Sequence, residues 1–384
     1  MSSSGLEELL ERTRVVLCVG PGGVGKTTSS AALALSAASR GKKVLVLTVD
    51  PARRLAQSLG MDSLALDETQ VSPQRLEAAG VPMSGELWAM MLDTRRIFDR
   101  VVTEHAPDPE TRERILSNRY YQRLSTSAAG SHEYMAMEQL FTLWSEDRYD
   151  LLVLDTPPSQ HAFDFLSAPE RMSEFFGSGS FKLVRESSRH LGRLGAGLLK
   201  KDSMLLKGVG KFLGAGVFAE IIEFLQSFSG MTAGFTERSR EVHSLLRSKD
   251  VAFLVMSSPD RRTLLESQEF VRRLEERSMR VGGVVVNRVR TSFTGDVDEK
   301  SASLEDRVAQ AMQDVDGTGA LGERLGSLIR AHGVLASSDA REIAGLRERL
   351  GARIPVVEVP VFAQDVVDLV GLSRFQEVVF STGT

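Results

Sequence analysis

GPGGVGKTT, residues 20–28, lies between an apolar run, RVVLCV at 14–19, and a run of small residues, SSAALALSAAS at 29–39. Gly20, Gly25, Lys26 and Thr27 satisfy the spacing G-x-x-x-x-G-K-[ST]. The flanks read as a buried strand entering the loop and a helix leaving it, the context in which that spacing holds a phosphate. Glycines there let successive backbone N–H groups converge on a phosphate, and the helix N-terminus adds its partial positive charge. The expected nucleotide contacts are Gly20, Gly22, Gly23, Val24, Gly25, Lys26, Thr27 and Thr28. Lys26 is expected to bridge the outer phosphates and so to serve catalysis as well, and Thr27 to ligate magnesium.

Six more apolar runs share the character of RVVLCV: KVLVLTV (43–49), LWAMML (87–92), DLLVLD (150–155), VAFLVMS (251–257), GGVVVN (282–287) and IPVVEVP (354–360). None alternates with polar residues, so each reads as a strand buried on both faces, as in a parallel sheet. Helical patterns separate most of them. The fold expected is α/β, a doubly wound, mostly parallel sheet of the P-loop NTPase type with an inserted helical subdomain. Residues 1–384 read as a single such domain. Helical excursions over about 95–145 and 170–248 are expected to form the subdomain, and outer helices to occupy about 300–350. Right-handed crossovers bring the strand C-termini, and the loops after them, to one edge.

Composition narrows the chemistry. A net charge of -4 gives nucleic acid no general attraction, so no nucleic-acid partner is expected. The single cysteine, Cys18, falls inside an apolar run and reads as a small buried hydrophobe. One cysteine excludes an intrachain disulfide, a cysteine-built zinc site and an iron–sulfur cluster. The N-terminal MSSSGLEELLE lacks a basic region followed by an apolar stretch, and no uncharged apolar run approaches a membrane span, so the expected location is cytoplasmic.

Two of the strand ends carry acids. KVLVLTVD ends at Asp50 and DLLVLD at Asp155, which places both carboxylates at the edge where the phosphate loop lies. An acid there holds magnesium or orients an attacking water, the two tasks phosphoryl transfer requires beyond charge neutralisation. A strand-end Asp also serves simply as a helix cap. Four apolar residues precede Asp155, which favours the metal role for it. For the base, a guanine-specific Asn/Thr-Lys-x-Asp loop is absent after VVVN, so adenine is the expected base. Asn287 has the donor and acceptor to pair with its edge, or else merely terminates the strand.

GPGGVGKTT, TVDPARRLAQSLG, VLDTPPSQHAFDFL and VVVNRV, in that order, resemble the ArsA-type anion-transporting ATPases, the group of the arsenite-pump motor and the tail-anchored-protein targeting ATPase. The likeness spans about 12–166 and 250–378. It implies a magnesium-dependent ATPase in which DPARR is a first switch with Asp50 positioning the hydrolytic water. DTPPSQH becomes the second switch, with Asp155 near the metal. Asn287 matches the family's adenine-contacting residue, and the loop at Pro360 and Val361 matches the segment over the base. The cofactors implied are ATP and Mg2+. One departure stands out: the family usually has lysine at the second loop position, reaching across a dimer to the partner's ATP, and this chain has Pro21, which has neither charge nor N–H. Arg53 and Arg54 are the nearest replacement cations. The cysteines of the family's metalloid site and zinc clamp are missing.

The expected function is a dimeric switch ATPase, homodimeric or paired with a paralogous chain, whose nucleotide state changes a helical surface for a protein partner, hydrophobic client or membrane partner. The candidate surface is VFAEIIEFLQSFSGMTAGF (217–235), with Val217, Ile221, Phe224, Phe228, Met231 and Phe235 at spacings of four and three, and HEYMAMEQLFTLW (132–144) beside it. Such a stripe also reads as ordinary core. The basic segment 181–216 reads as a mobile lid. The alternatives are a soluble motor subunit of an anion or metalloid exporter, and a partitioning ATPase on a membrane or DNA surface.

Overall fold

A computed structural model describes residues 4–50, 54–119, 121–122, 131–156, 231–292 and 320–381. They divide into two compact units, Met1–Met90 with Tyr149–Gln160 and Lys249–Thr384, and Met91–Arg148 with His161–Ser248.

The first unit is built on an eight-stranded sheet of order β3-β4-β2-β5-β1-β6-β7-β8. The strands are β1 Val15–Val19, β2 Lys43–Thr48, β3 Thr69–Gln70, β4 Glu86–Met91, β5 Leu151–Asp155, β6 Val251–Ser257, β7 Val281–Val289 and β8 Val356–Pro360. All seven expected runs form strands, but β4 and β8, nearer the sheet's edges, alternate buried and half-buried residues instead of being buried on both faces. β3 is the addition, a two-residue piece antiparallel to β4 with no hydrophobic signal of its own. β1 pairs in parallel with β5 on one side and β6 on the other, and β5–β2, β6–β7 and β7–β8 are parallel too. Every residue of β1, β5 and β6 is buried, the physical reason their sequences do not alternate. β1 is central, and the chain crosses to opposite sides of it, which opens a crevice at its carboxyl end.

Helix α1 (Ser4–Arg12) precedes β1, and α2 (Lys26–Ser39) follows the phosphate loop. α2 is buried almost all round, among other residues Ser29, Ser30, Ala31, Ala34 and Ala38. Its small side chains let it lie close on the sheet, and for the same reason it lacks an amphipathic face. Short helices α3 (Arg54–Ser58) and α4 (Pro73–Ala78) follow β2 and β3.

In the second unit, α5 (Thr94–His105), α6 (Pro109–Ser117), α7 (Ser131–Ser145) and α8 (Thr232–Leu246) are all helical. Asp93 caps α5, its carboxylate accepting from the Arg95 and Arg96 N–H groups at 2.9 and 3.2 Å. Tyr134, Met137 and Phe141 of the α7 stripe are buried, as are Met231 and Phe235. Val217, Ile221, Phe224 and Phe228, like most of the stretch 170–248 and the segment 181–216, lie outside the described residues.

An ion pair joins α7 and α8. Arg238 Nε donates to Glu138 Oε1 at 2.7 Å, and its guanidinium stacks over Phe141 at 4.2 Å. Thr142 Oγ1 accepts from Arg238 and Arg100 at 3.1 and 3.2 Å. Burial pushes the Glu138 carboxyl up, and Arg238 pulls it back. Arg238→Ala strands a carboxylate that is 1% exposed and is expected to cost about 3 kcal/mol, read as a lower urea midpoint at pH 7. An unchanged midpoint refutes a structural role for the pair.

The remaining described helices belong to the first unit: α9 (Arg261–Glu276), α10 (Ala320–Leu350) and α11 (Leu369–Ser381). Residues 300–319 of the expected outer helices lie outside the described residues. In α11 the side chains of Leu372, Phe375, Val379 and Phe380 are buried, so its apolar face is occupied by the core. No described helix is long and apolar enough to cross a membrane.

Candidate nucleotide site

The phosphate loop takes its shape from residues that tolerate unusual backbone angles and close approach. Gly25, with φ 94°, is the N-cap of α2, and a Cβ there would collide with the Asn287 amide. Gly20, with φ 142°, lies so near the Met256 carbonyl of β6 that any side chain would displace it. Lys26 is 6% exposed and folds back along the loop, donating to the Gly20 and Pro21 carbonyls at 3.1 and 2.8 Å. Pro21 therefore serves the loop through its carbonyl oxygen, which proline keeps. Burial lowers the Lys26 pKa, against the pull of Asp155 and Asp50.

Asp155, at the end of β5, is 1% exposed. Its Oδ2 accepts from Thr27 Oγ1 at 2.8 Å and from Thr48 Oγ1 at 3.0 Å. Its Oδ1 is buried without a hydrogen-bond partner among the described residues. Burial pushes this carboxyl up to about 6, the two hydroxyl donors and Lys26 working the other way. Thr48 Oγ1 in turn accepts from the Asp50 backbone N–H at 3.2 Å, so one threonine links the two strand-end acids. Thr156 Oγ1 donates to the Cys18 carbonyl at 2.7 Å, tying the residue after β5 to β1. Cys18 is fully buried, and burial raises its thiol to about 12, so it is an inert hydrophobe as expected.

A cleft of about 480 Å³ opens over this edge. Gly23, Gly25, Lys26, Thr27, Thr28 and Asp50 line it from the phosphate loop and the end of β2. Asn287, Pro360, Val361 and Phe362 line it from the ends of β7 and β8, with Phe375 tilted against Phe362 at 5.8 Å between centroids. The expected residues Gly20, Gly22, Val24 and Asp155 are not in the wall: Val24 is buried, and Asp155 lies beneath Thr27. Asn287 lies in the wall but is engaged, its Nδ2 donating to the Val24 carbonyl at 3.0 Å and its Oδ1 accepting from the Arg288 N–H at 2.9 Å. One amide hydrogen and one lone pair stay available for a base. Arg54 lines the cleft from the start of α3, and Arg53 lies outside the described residues.

Thr48, Phe362 and Arg288 are among the members that sequence reasoning missed. Thr48 is an unremarkable strand residue until β2 and β5 pair in register. Phe362 follows the expected Pro360 and Val361 by one or two positions, a signal that was within reach. Arg288 neighbours Asn287 and had no signal beyond its charge.

Strand, phosphate loop and helix in this arrangement define a P-loop nucleotide-binding protein. The family described as Anion-transporting ATPase matches residues 13–316, and the chain belongs to that family of ATPases. Among its relatives, the putative arsenical pump-driving ATPase 1 of Aquifex aeolicus is 25% identical over 72% of this chain and 63% of that protein. A putative arsenical pump-driving ATPase of Halobacterium salinarum is 31% identical over 45% of this chain and 27% of its own length. The ATPase get3 of Schizosaccharomyces pombe is 25% identical over 74% of this chain and 76% of that protein. The alignments thus span less than two thirds of both pump-driving relatives.

Proposed function

We propose that this chain binds ATP with magnesium in the cleft, hydrolyses it, and works as a dimeric switch whose nucleotide state alters a helical surface for a protein partner or hydrophobic client. The observation that carries the chemistry is the buried Asp155 carboxylate, bonded to Thr27 through one oxygen and without a partner among the described residues on the other. A partnerless buried carboxylate oxygen beside a hydroxyl is a hard-oxygen donor set that fits Mg2+. Thr27 and Asp155 would hold the ion, which supplies charge neutralisation at the outer phosphates when bound. Lys26 then turns its ammonium from the loop carbonyls to the phosphates, and backbone N–H groups of the loop hold the remaining oxygens.

Asp50 orients the attacking water, which adds to the terminal phosphorus as the bond to the bridging oxygen breaks, giving ADP and phosphate. Its place in the cleft wall, one hydroxyl away from Asp155, supports that role. Asp50→Asn is expected to bind ATP normally and to slow phosphate release by roughly a hundredfold or more. Gel filtration after incubation should recover unhydrolysed ATP with the variant. A normal rate would remove Asp50 from the mechanism.

Dimerisation, with an identical or a paralogous chain, is taken from the family resemblance. With Pro21 in place of the usual lysine, Arg54 in the cleft wall is the candidate for the cation that responds to the partner's nucleotide. The names of the pump-driving relatives favour a second reading, the motor subunit of an anion exporter. Cys18 offers that reading no thiolate for a metalloid. The buried apolar face of α11 counts against a partitioning ATPase anchored by that helix.

A further inference from the structure

Arg288 occupies an unusual place on β7. Its φ is 63°, a left-handed conformation seldom adopted by arginine, and the β7–β8 register shifts between Asn287 and Val289 around it. Bulges of this kind re-aim a side chain next to a site. The re-aimed guanidinium donates through Nη1 to the Gly23 carbonyl at 3.2 Å, while the neighbouring Asn287 donates to the Val24 carbonyl at 3.0 Å. Two consecutive residues of one strand end thus bind two consecutive carbonyls of the phosphate loop. Among the described residues Arg288 forms no ion pair with a carboxylate, and it lines the cleft that Pro360, Val361 and Phe362 also line.

We propose, resting on the ATP-binding reading above, that Arg288 stacks its guanidinium on the purine ring and so couples base recognition to the shape of the phosphate loop. Guanidinium N–H groups donate in the plane, so a group held edge-on by Gly23 keeps its faces for an aromatic ring. Lys26 already serves the phosphate end.

Calorimetric titration of the full chain with Mg–ATP and with Mg–tripolyphosphate, which lacks base and ribose, separates the roles. Arg288→Gly suits the positive φ and removes the side chain without backbone strain. It is expected to weaken ATP about tenfold and leave tripolyphosphate within twofold. Arg288→Lys, which keeps the charge but not the planar face, should recover less than half of the logarithmic loss. Equal weakening of both ligands would make Arg288 a phosphate cation and overturn the proposal, as would an unchanged ATP affinity or full rescue by lysine. A wild-type chain that binds neither ligand overturns the ATP-binding reading itself. One that binds both equally overturns only the stacking role.

Discussion

Lys26→Ala is expected to lower ATP turnover by roughly two to three orders of magnitude while the sheet stays folded. Lys26 is 6% exposed, and its ammonium lies against the Gly20 and Pro21 carbonyls of the loop proposed to hold the phosphates. Its loss removes a charge that acts in a partly dehydrated cleft, where each electrostatic contact is stronger than in water. The fold is not expected to depend on it, because burial already disfavours its charged form. Phosphate release and circular dichroism on the same preparation test both halves. Turnover within threefold of wild type, with native ellipticity, would show that phosphoryl transfer here does not use this lysine.

Asp155→Asn is expected to abolish magnesium-dependent turnover and yet raise the thermal midpoint of the metal-free protein at pH 7. The carboxyl is pushed up to about 6 from 3.8, so the folded state holds its proton more tightly than the unfolded chain. For a group raised in this way, stability is greatest below about pH 4 and is lost as pH rises through about 6. At pH 7 the penalty is about 3 kcal/mol, and at pH 5 about half of that. Asparagine accepts the Thr27 and Thr48 hydroxyls through its oxygen and puts an uncharged amide where Oδ1 has no partner. Melting curves of both proteins in chelator at pH 7 and pH 5 should show a gap that narrows on acidification. A gap that is absent, or widens toward pH 5, means the carboxylate is not strained by burial. Added magnesium should raise the midpoint of the wild type alone.

Much of the site was legible because its signals are local. Glycine spacing, a strand before and a small-residue helix after identify the phosphate loop within about 25 residues, and apolar runs identify seven strands, of which β4 and β8 are only half-buried on one face. Asp50 and Asp155 could be placed at the correct edge from strand polarity alone. Thr48 could not be tied to them, since its hydroxyl meets Asp155 only when β2 and β5 pair Thr48 opposite Asp155 across 107 positions. Asn287 was read as a base contact, but its bond to Val24 spans 263 positions and reveals it also as a brace for the loop. The Glu138–Arg238 pair gave no hint, because two charged residues on separate helices look like solvated surface until the helices pack.

The amino-acid order by itself determined the α/β class, the phosphate loop, the strand-end acids and the inertness of a lone apolar-run cysteine. Each depends on backbone preference or on burial periodicity within a few residues. Tertiary packing alone decided that one oxygen of Asp155 is left without a partner, that Pro21 contributes through its carbonyl, and that Arg288 is turned toward the loop by a bulge. Desolvation, register and strain of that kind come from neighbours distant in the chain, which no local pattern specifies.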